Sequence, residues 1–327
     1  MKINFVSRYF NTNNAGIGRI SEDIYNYFKN KGYNVTKTEC SFKNQHKLYY
    51  LYYILQTAVK KDNSDVYFAL SPLESFFLPP EKSIVVIHDL IPLKSNSFFE
   101  KKIFWYAISK TAKFKKIICI STEVREEYLK TTKCDPKKVI LIENWVNPKY
   151  TYCEPNNHEK IIIGTISAHF PRKRIDWLIN NFIKIEDGDL ELHIGGDGPQ
   201  TNYLKKISEE DQRIKFLGKI PEEKMVTFYK NIDIFVFPSK IEGFGLPIVE
   251  AASCGRPVLT LEDAKIPKNV KEKTLQINED NFKKNINKLK NYELRKKLGL
   301  KWNKDVECFN YDKTLMKYEK IIKETLN

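Results

Sequence analysis

Phe237-Pro238-Ser239-Lys240-Ile241-Glu242-Gly243-Phe244-Gly245-Leu246-Pro247-Ile248-Val249-Glu250-Ala251-Ala252-Ser253-Cys254-Gly255-Arg256-Pro257-Val258-Leu259 is the stretch that decides the fold. The apolar run from Ile232 to Phe237 leads into it and predicts a buried strand. Leu246 to Cys254 has helical spacing, with Pro247 in the first turn and Gly255 just past the end. Pro257-Val258-Leu259 begins another strand. The order strand, glycine turn, helix, strand sets the turn against a helix N-terminus. Glycine has no Cβ, and the helix end presents N–H groups without intrahelical partners, so such a turn can approach an anion closely.

Two carboxylates flank the turn: Glu242 within it and Glu250 in the first turns of the helix. A carboxylate accepts two hydrogen bonds from a vicinal diol, so the pattern suits a ligand that carries sugar hydroxyls as well as phosphate. A second explanation of Glu250 by itself is that it complements the helix dipole. The whole string, Pro-Ser-x-x-Glu-Gly-Phe-Gly-Leu-Pro-x-x-Glu-Ala-x-x-x-Gly-x-Pro-Val, resembles the donor-site motif of the retaining glycosyltransferases with the GT-B fold (glycosyltransferase family 4).

At 327 residues the chain suits two domains. Six scattered cysteines without a CxxC pair or zinc spacing are expected to be reduced thiols of a cytosolic protein. No apolar run is long enough to span a membrane, and the N-terminus reads as a strand, not a signal peptide. The expected location is cytoplasmic, with peripheral contact at a membrane. The formal charge of +14 is uneven, +10 over residues 1–150 and +4 over 151–327. No nucleic-acid-binding motif accompanies it, so no nucleic-acid partner is expected.

Along the first half, strand and helix signals alternate, the signature of a doubly wound parallel sheet. Strands are expected at 3–6, 33–38, 66–70, 83–88, 117–120 and 139–142, and helices at 17–30, 46–60, 97–115 and 121–130. Asn13-Asn14-Ala15-Gly16-Ile17-Gly18-Arg19 is a glycine-bearing loop at a helix start, without the third glycine of a dinucleotide fingerprint, since position 21 is Ser. Ile84-Val85-Val86-Ile87-His88-Asp89 places a His and an Asp at the carboxyl end of a strand. The helix around Lys101, Lys102, Lys110 and Lys113 mixes lysines with Phe98, Phe99, Phe104 and Trp105. Two explanations stand for it: contact with an anionic membrane surface, or a core helix with a solvated lysine face.

Residues 144–160, rich in Asn and Pro, form the expected linker, with a domain cleft beside it. Strands are then expected at 160–166, 190–194 and 214–220, and a helix at 175–183. The loop Ser167-Ala168-His169-Phe170-Pro171-Arg172-Lys173-Arg174 brings cations to a strand end, where they could neutralise a departing diphosphate. From Asp280 onward the pattern is helical, closing with an amphipathic helix over Tyr311–Leu326 that on sequence alone reads as a surface helix.

The family resemblance covers nearly the whole chain and is strongest over 161–260. It implies an α/β GT-B fold, two doubly wound Rossmann-like domains facing across a cleft. Residues 1–150 would be the acceptor-binding domain, 151–310 the donor-binding domain, and 311–327 a helix crossing back to the first. It implies a retaining hexosyltransferase that uses a UDP- or GDP-sugar and a glycan, lipid-linked or other acceptor. Glu250 would take the ribose hydroxyls. Glu242, with the amides of Gly243, Phe244, Gly245 and Leu246, would take the sugar and diphosphate. Lys173 is implied as the phosphate cation and His88 as a partner of a sugar hydroxyl. The loop with Gly16 would face the cleft, and the backbone at Ile220 would lie near the base. The sequence departs from the family at Ala168, where an arginine is usual, and Arg172 is the nearest replacement. With no convincing metal spacing among its His, Cys and Asp residues, neither metal nor other cofactor is expected. Two other functions remain open at this stage: a nucleotide-sugar epimerase on the same fold, and a non-catalytic protein binding a sugar nucleotide or an anionic surface.

Overall fold

The computed structural model describes residues 1–8, 10, 15–39, 54–55, 62–95, 97–157 and 160–326. The chain divides into two compact units, Met1–Asn144 with Asp312–Asn327, and Trp145–Tyr311.

In the first unit the elements are β1 (Lys2–Ser7), α1 (Ala15–Asn30), β2 (Asn34–Glu39), β3 (Val66–Ala69), β4 (Ser83–Ile87), α2 (Phe98–Thr111), β5 (Lys116–Cys119), α3 (Thr122–Thr132) and β6 (Val139–Leu141). The sheet runs β2-β1-β3-β4-β5-β6, and every neighbouring pair is parallel. Strands β3 and β4 are buried at every residue, which is why they read as unbroken apolar runs instead of alternating ones. Ser97 and Ser121 cap their helices, accepting from the amides of Glu100 and Val124.

Two local expectations need correction. Gly16 and Gly18 lie inside the first turns of α1 and not in a loop ahead of it; amides there have no intrahelical acceptor to lose. Helix α2 ends at Thr111, short of Lys115, because the buried Phe114 turns the chain inward and its amide bonds to the Thr111 carbonyl at 2.9 Å. The helix expected at 46–60, all but residues 54–55, and the loop residues Asn13 and Asn14 lie outside the described residues.

The second unit repeats the architecture: β7 (Ile161–Ile166), α4 (Ile175–Ile183), β8 (Leu190–Gly195), α5 (Thr201–Ile207), β9 (Ile214–Gly218), α6 (Met225–Asn231), β10 (Ile234–Phe237), α7 (Leu246–Ser253), β11 (Val258–Leu261), α8 (Lys268–Lys271), β12 (Leu275–Ile277), α9 (Glu279–Leu289) and α10 (Tyr292–Asp305). The short β12 and α8 were not expected, since three or four residues carry no readable period. The parallel sheet runs β12-β11-β10-β7-β8-β9. From β7 the chain builds outward to β9, then returns to β10 and builds the other way. Strand order therefore reverses between β7 and β10, and in doubly wound sheets the crevice beyond the carboxyl ends at such a reversal is where ligands sit.

The last helix, α11 (Tyr311–Leu326), buries Leu315, Tyr318, Ile321 and Ile322. Its Glu319 accepts from the hydroxyls of Tyr27 (3.0 Å) and Tyr33 (2.6 Å). The Lys323 ammonium, 2.7 Å away, and the two phenols hold the Glu319 carboxyl down to about 2. A helix anchored in this way on the first unit is not merely a surface helix.

Candidate active site

The site in the second unit is built where the sheet order reverses. After β10 the chain passes Pro238 and Ser239 into the glycine turn, and Gly245 adopts φ 98° immediately before α7. That dihedral is strained for any L residue, and a Cβ there would lie 2.9 Å from Ile248 Cδ1. Pro247 sits in the first turn, and Ile248 to Ser253 are buried. Past the helix, Gly255 has φ 76°, and a Cβ would meet the Tyr152 ring at 2.7 Å. The fully buried Arg256 ties this exit down by donating to the carbonyls of Cys254, Ile232, Cys153 and Glu154.

The loop after β7 is stitched to this turn through the backbone. The Lys240 amide donates to the Arg172 carbonyl at 2.8 Å, the Lys265 amide to Lys240 at 2.8 Å, and the Glu242 amide to Lys265 at 3.0 Å. Side chains then converge on one oxygen. Glu242 Oε1 accepts from Lys173 Nζ at 2.5 Å, Ser239 Oγ at 2.5 Å and Arg172 Nη1 at 3.3 Å. Arg172 Nη1 also donates to the Ile241 carbonyl at 3.2 Å. Lys173 is buried, with its ammonium 5.1 Å from the centre of the Phe237 ring. Burial works against ionisation of Glu242, but the charges of Lys173 and Arg172 and the bonds from Lys173 and Ser239 outweigh it. Its carboxyl is held below the usual carboxylate range. Two cations and one anion leave a local excess of positive charge beside the start of α7.

Glu250 occupies the fifth position of α7 and is 3% exposed. The Tyr229 hydroxyl donates to its Oε2 at 2.8 Å. Tyr229 is itself fully buried, wedged between the rings of Tyr150 and Phe235, so it fixes the orientation of the carboxylate. Phe244 is buried edge-on against Phe309, 5.1 Å between ring centres, which leaves its backbone as the part able to meet a ligand. Leu246, the first helical residue, is half-buried. Ile220 follows the end of β9 and packs over Gly195, where a Cβ would come within 2.7 Å of its Cδ1. Ala168, the departure from the family pattern, is exposed. Next to it His169 is fully buried, with its ring 2.8 Å from Thr201 Oγ1, and burial pushes its pKa down. It is a structural residue of the loop.

In the first unit the order reverses between β1 and β3, and a second polar cluster lies beyond those strand ends. The buried Glu74 accepts from the backbone amide of Arg8 at 3.0 Å, from Arg8 Nε at 3.1 Å and from the Ser71 hydroxyl. His88 follows β4, and its Nε2 lies 2.8 Å from the Leu70 carbonyl. A carbonyl only accepts, so Nε2 carries the proton and Nδ1 is the acceptor of the ring. Burial is the main cause that pushes the His88 pKa down to about 4, against the pull of the Leu70 bond and Glu74. The ring is therefore neutral at physiological pH. Gly16 is half-buried in α1.

Of the residues singled out in the sequence, the structure brings Lys173, Arg172 and Glu242 into one cluster and sets Gly243 to Leu246 directly after it. Glu250 meets Tyr229 instead. Ser239, Tyr229, Arg8 and Glu74 were missed. Ser239 had a signal, its place three residues before Glu242 in the quoted motif; the others had none. No group of three or more His, Cys, Asp or Glu able to hold a metal ion occurs among the described residues.

Residues 159–291 match the family model for glycosyl transferases group 1. That match lies wholly within the second unit. The chain is 27% identical over 262 residues to an uncharacterised glycosyltransferase of Methanocaldococcus jannaschii, MJ1178, covering 74% of the chain and 68% of the relative. It is 24% identical over 236 residues to the O-antigen chain mannosyltransferase RfbU of Salmonella typhimurium, covering 70% of the chain and 65% of that protein. Its fold is GT-B, in accord with the two parallel six-stranded sheets. Anabaena HepE, solved with UDP and glucose, superposes with a TM-score of 0.76 at 15% identity, covering 99% of this chain and all of that one.

Proposed function

We propose that this protein is a retaining, metal-independent hexosyltransferase that moves a sugar from a UDP- or GDP-sugar to a glycan, lipid-linked or other acceptor. The observation that supports it is the convergence of Lys173 and Arg172 on Glu242 beside the positive-φ turn at the start of α7.

When the bond between the sugar and the nucleoside diphosphate breaks, negative charge develops on the departing phosphate. The Lys173 ammonium, the Arg172 guanidinium and the amides of Gly243 to Leu246 would stabilise that charge without a divalent ion. Donors held in place before the reaction need no reorganisation as charge appears. Glu242 keeps the two cations in position before the donor arrives, and its second carboxylate oxygen would accept from a sugar hydroxyl. Glu250, its orientation set by Tyr229, would accept from the ribose hydroxyls. By the family resemblance, His88 contributes an uncharged acceptor, Nδ1, to a sugar hydroxyl. A pair of carboxylates arranged as in retaining hydrolases is not evident in the sequence, which favours front-face displacement over a covalent sugar intermediate. Support for a nucleotide-sugar donor also comes from HepE, whose crystals hold UDP and glucose.

The test is product analysis with labelled UDP- and GDP-sugars, with and without acceptor, guided by the thermal shift each nucleotide produces. Acceptor-dependent release of free nucleotide, with the anomeric configuration kept, is expected. Sugar inversion without acceptor would indicate an epimerase, and binding without turnover a carrier.

A further inference from the structure

We propose that the outer face of helix α2 docks on an anionic lipid bilayer. The helix buries Phe104, Ala107, Ile108 and Thr111 on one side. On the other, Phe98 is 77% exposed, Phe99 57%, and Trp105 and Tyr106 55% each. Lys101 and Lys102 are exposed among them, and the 3.6-residue period puts positions 98, 102, 105 and 106 on one face. Glu100, the acid of this helix, is half-buried and accepts from the Ser95 hydroxyl at 2.7 Å. The patch extends beyond the helix. The Phe76 ring lies 5.4 Å from that of Tyr106, and the exposed Phe77 lies next to it. Lys110 donates to the Phe76 carbonyl and holds this second segment against the helix.

Contiguous exposed aromatic surface of this kind marks a binding face, and its composition selects the occupant. Protein interfaces are enriched in aromatics but depleted of lysine at their centre. Here lysines alternate with the rings, as at a headgroup layer. There aromatic rings sit at the boundary between water and acyl chains, lysine stems lie along it, and ammonium groups meet lipid phosphates. The +10 charge of residues 1–150 has the same sign preference. At 14 residues the helix is too short to cross a bilayer and would lie in its surface.

The proposal does not depend on the donor chemistry, because vesicle binding needs no nucleotide. The test is flotation of the whole chain with phosphatidylcholine vesicles, with and without phosphatidylglycerol, read together with tryptophan emission. Trp145 and Trp302 are buried and Trp177 half-buried, so Trp105 is the indole that reports a change of surroundings. We expect flotation with the anionic vesicles only, a blue shift of emission, and release by salt. Lys101→Glu with Lys102→Glu should weaken binding by at least about tenfold, and Phe98→Ser with Trp105→Ser should abolish it. Both pairs are surface positions and should keep the wild-type melting temperature. Wild-type protein that stays at the bottom of the gradient with unchanged emission overturns the proposal. So does wild-type flotation of either folded double variant, or a lipid-free oligomer that Phe98→Ser with Trp105→Ser makes monomeric, which would assign the face to a second copy.

Discussion

Replacing Lys173 with methionine keeps the buried stem and removes the charge that lies 2.5 Å from Glu242. A hydrogen bond to a charged group contributes roughly 1.5–3 kcal/mol. The loss should fall short of the ~3–5 kcal/mol of a fully broken buried pair, because Ser239 at 2.5 Å and Arg172 at 3.3 Å still reach the same oxygen. At ~2–4 °C per kcal/mol for a unit of this size, melting should drop by roughly 5–10 °C at neutral pH. The sign of the pH dependence follows from Glu242. Its carboxyl is held below the ordinary value in the folded protein, so its stabilisation is present above the unfolded pKa and is lost as pH falls through the folded one. In Lys173→Met the folded pKa moves up, so the gap from wild type is widest at neutral pH and narrows below about pH 4. Adding Glu242→Gln should recover most of the stability, since the unpaired charge is gone, while turnover stays ~10²–10³ below wild type. Calorimetry from pH 7 down to about pH 2.5, beside a nucleotide-release assay at neutral pH, gives both quantities. Equal melting of Lys173→Met and wild type at pH 7, or a gap that widens in acid, would refute the reasoning.

Arg172→Ala should lower turnover by ~10²–10³ with a smaller effect on nucleotide affinity, and Ala168→Arg in that background should restore part of it; wild-type turnover in Arg172→Ala would leave Lys173 as the sole side-chain cation. Glu250→Ala should weaken nucleotide binding at least about tenfold while circular dichroism stays native, and unchanged affinity in a titration would remove Glu250 from the binding site. Turnover should persist in excess EDTA, and activity that disappears and returns with Mg²⁺ or Mn²⁺ would mean that a divalent ion carries the leaving-group charge.

Much of the fold was legible because its signals are local. Gly245 and Gly255 stand where the chain needs positive φ, Pro247 where a helix amide has no acceptor to lose, and Ser121 where it can cap. Their neighbours in the chain are enough to read them. The short β12 and α8 lacked any period, and the end of α2 depends on the burial of Phe114 deep in the unit, which no local pattern encodes.

The sequence by itself determined the alternation of strand and helix, the glycine turn at the start of α7 and the family resemblance. It did so because backbone conformation and motif depend on adjacent residues. Only the tertiary structure decided the rest. The order β12-β11-β10-β7-β8-β9 brings the ends of β7 and β10 together, so that Lys173 meets Glu242 across 69 positions of chain. Tyr229 reaches Glu250 from another helix, and Leu70 fixes the tautomer of His88. Whether the aromatics of α2 are core or surface was equally undecided by spacing. A helix has two sides, and only the elements packed on one of them determine which four rings are left in water.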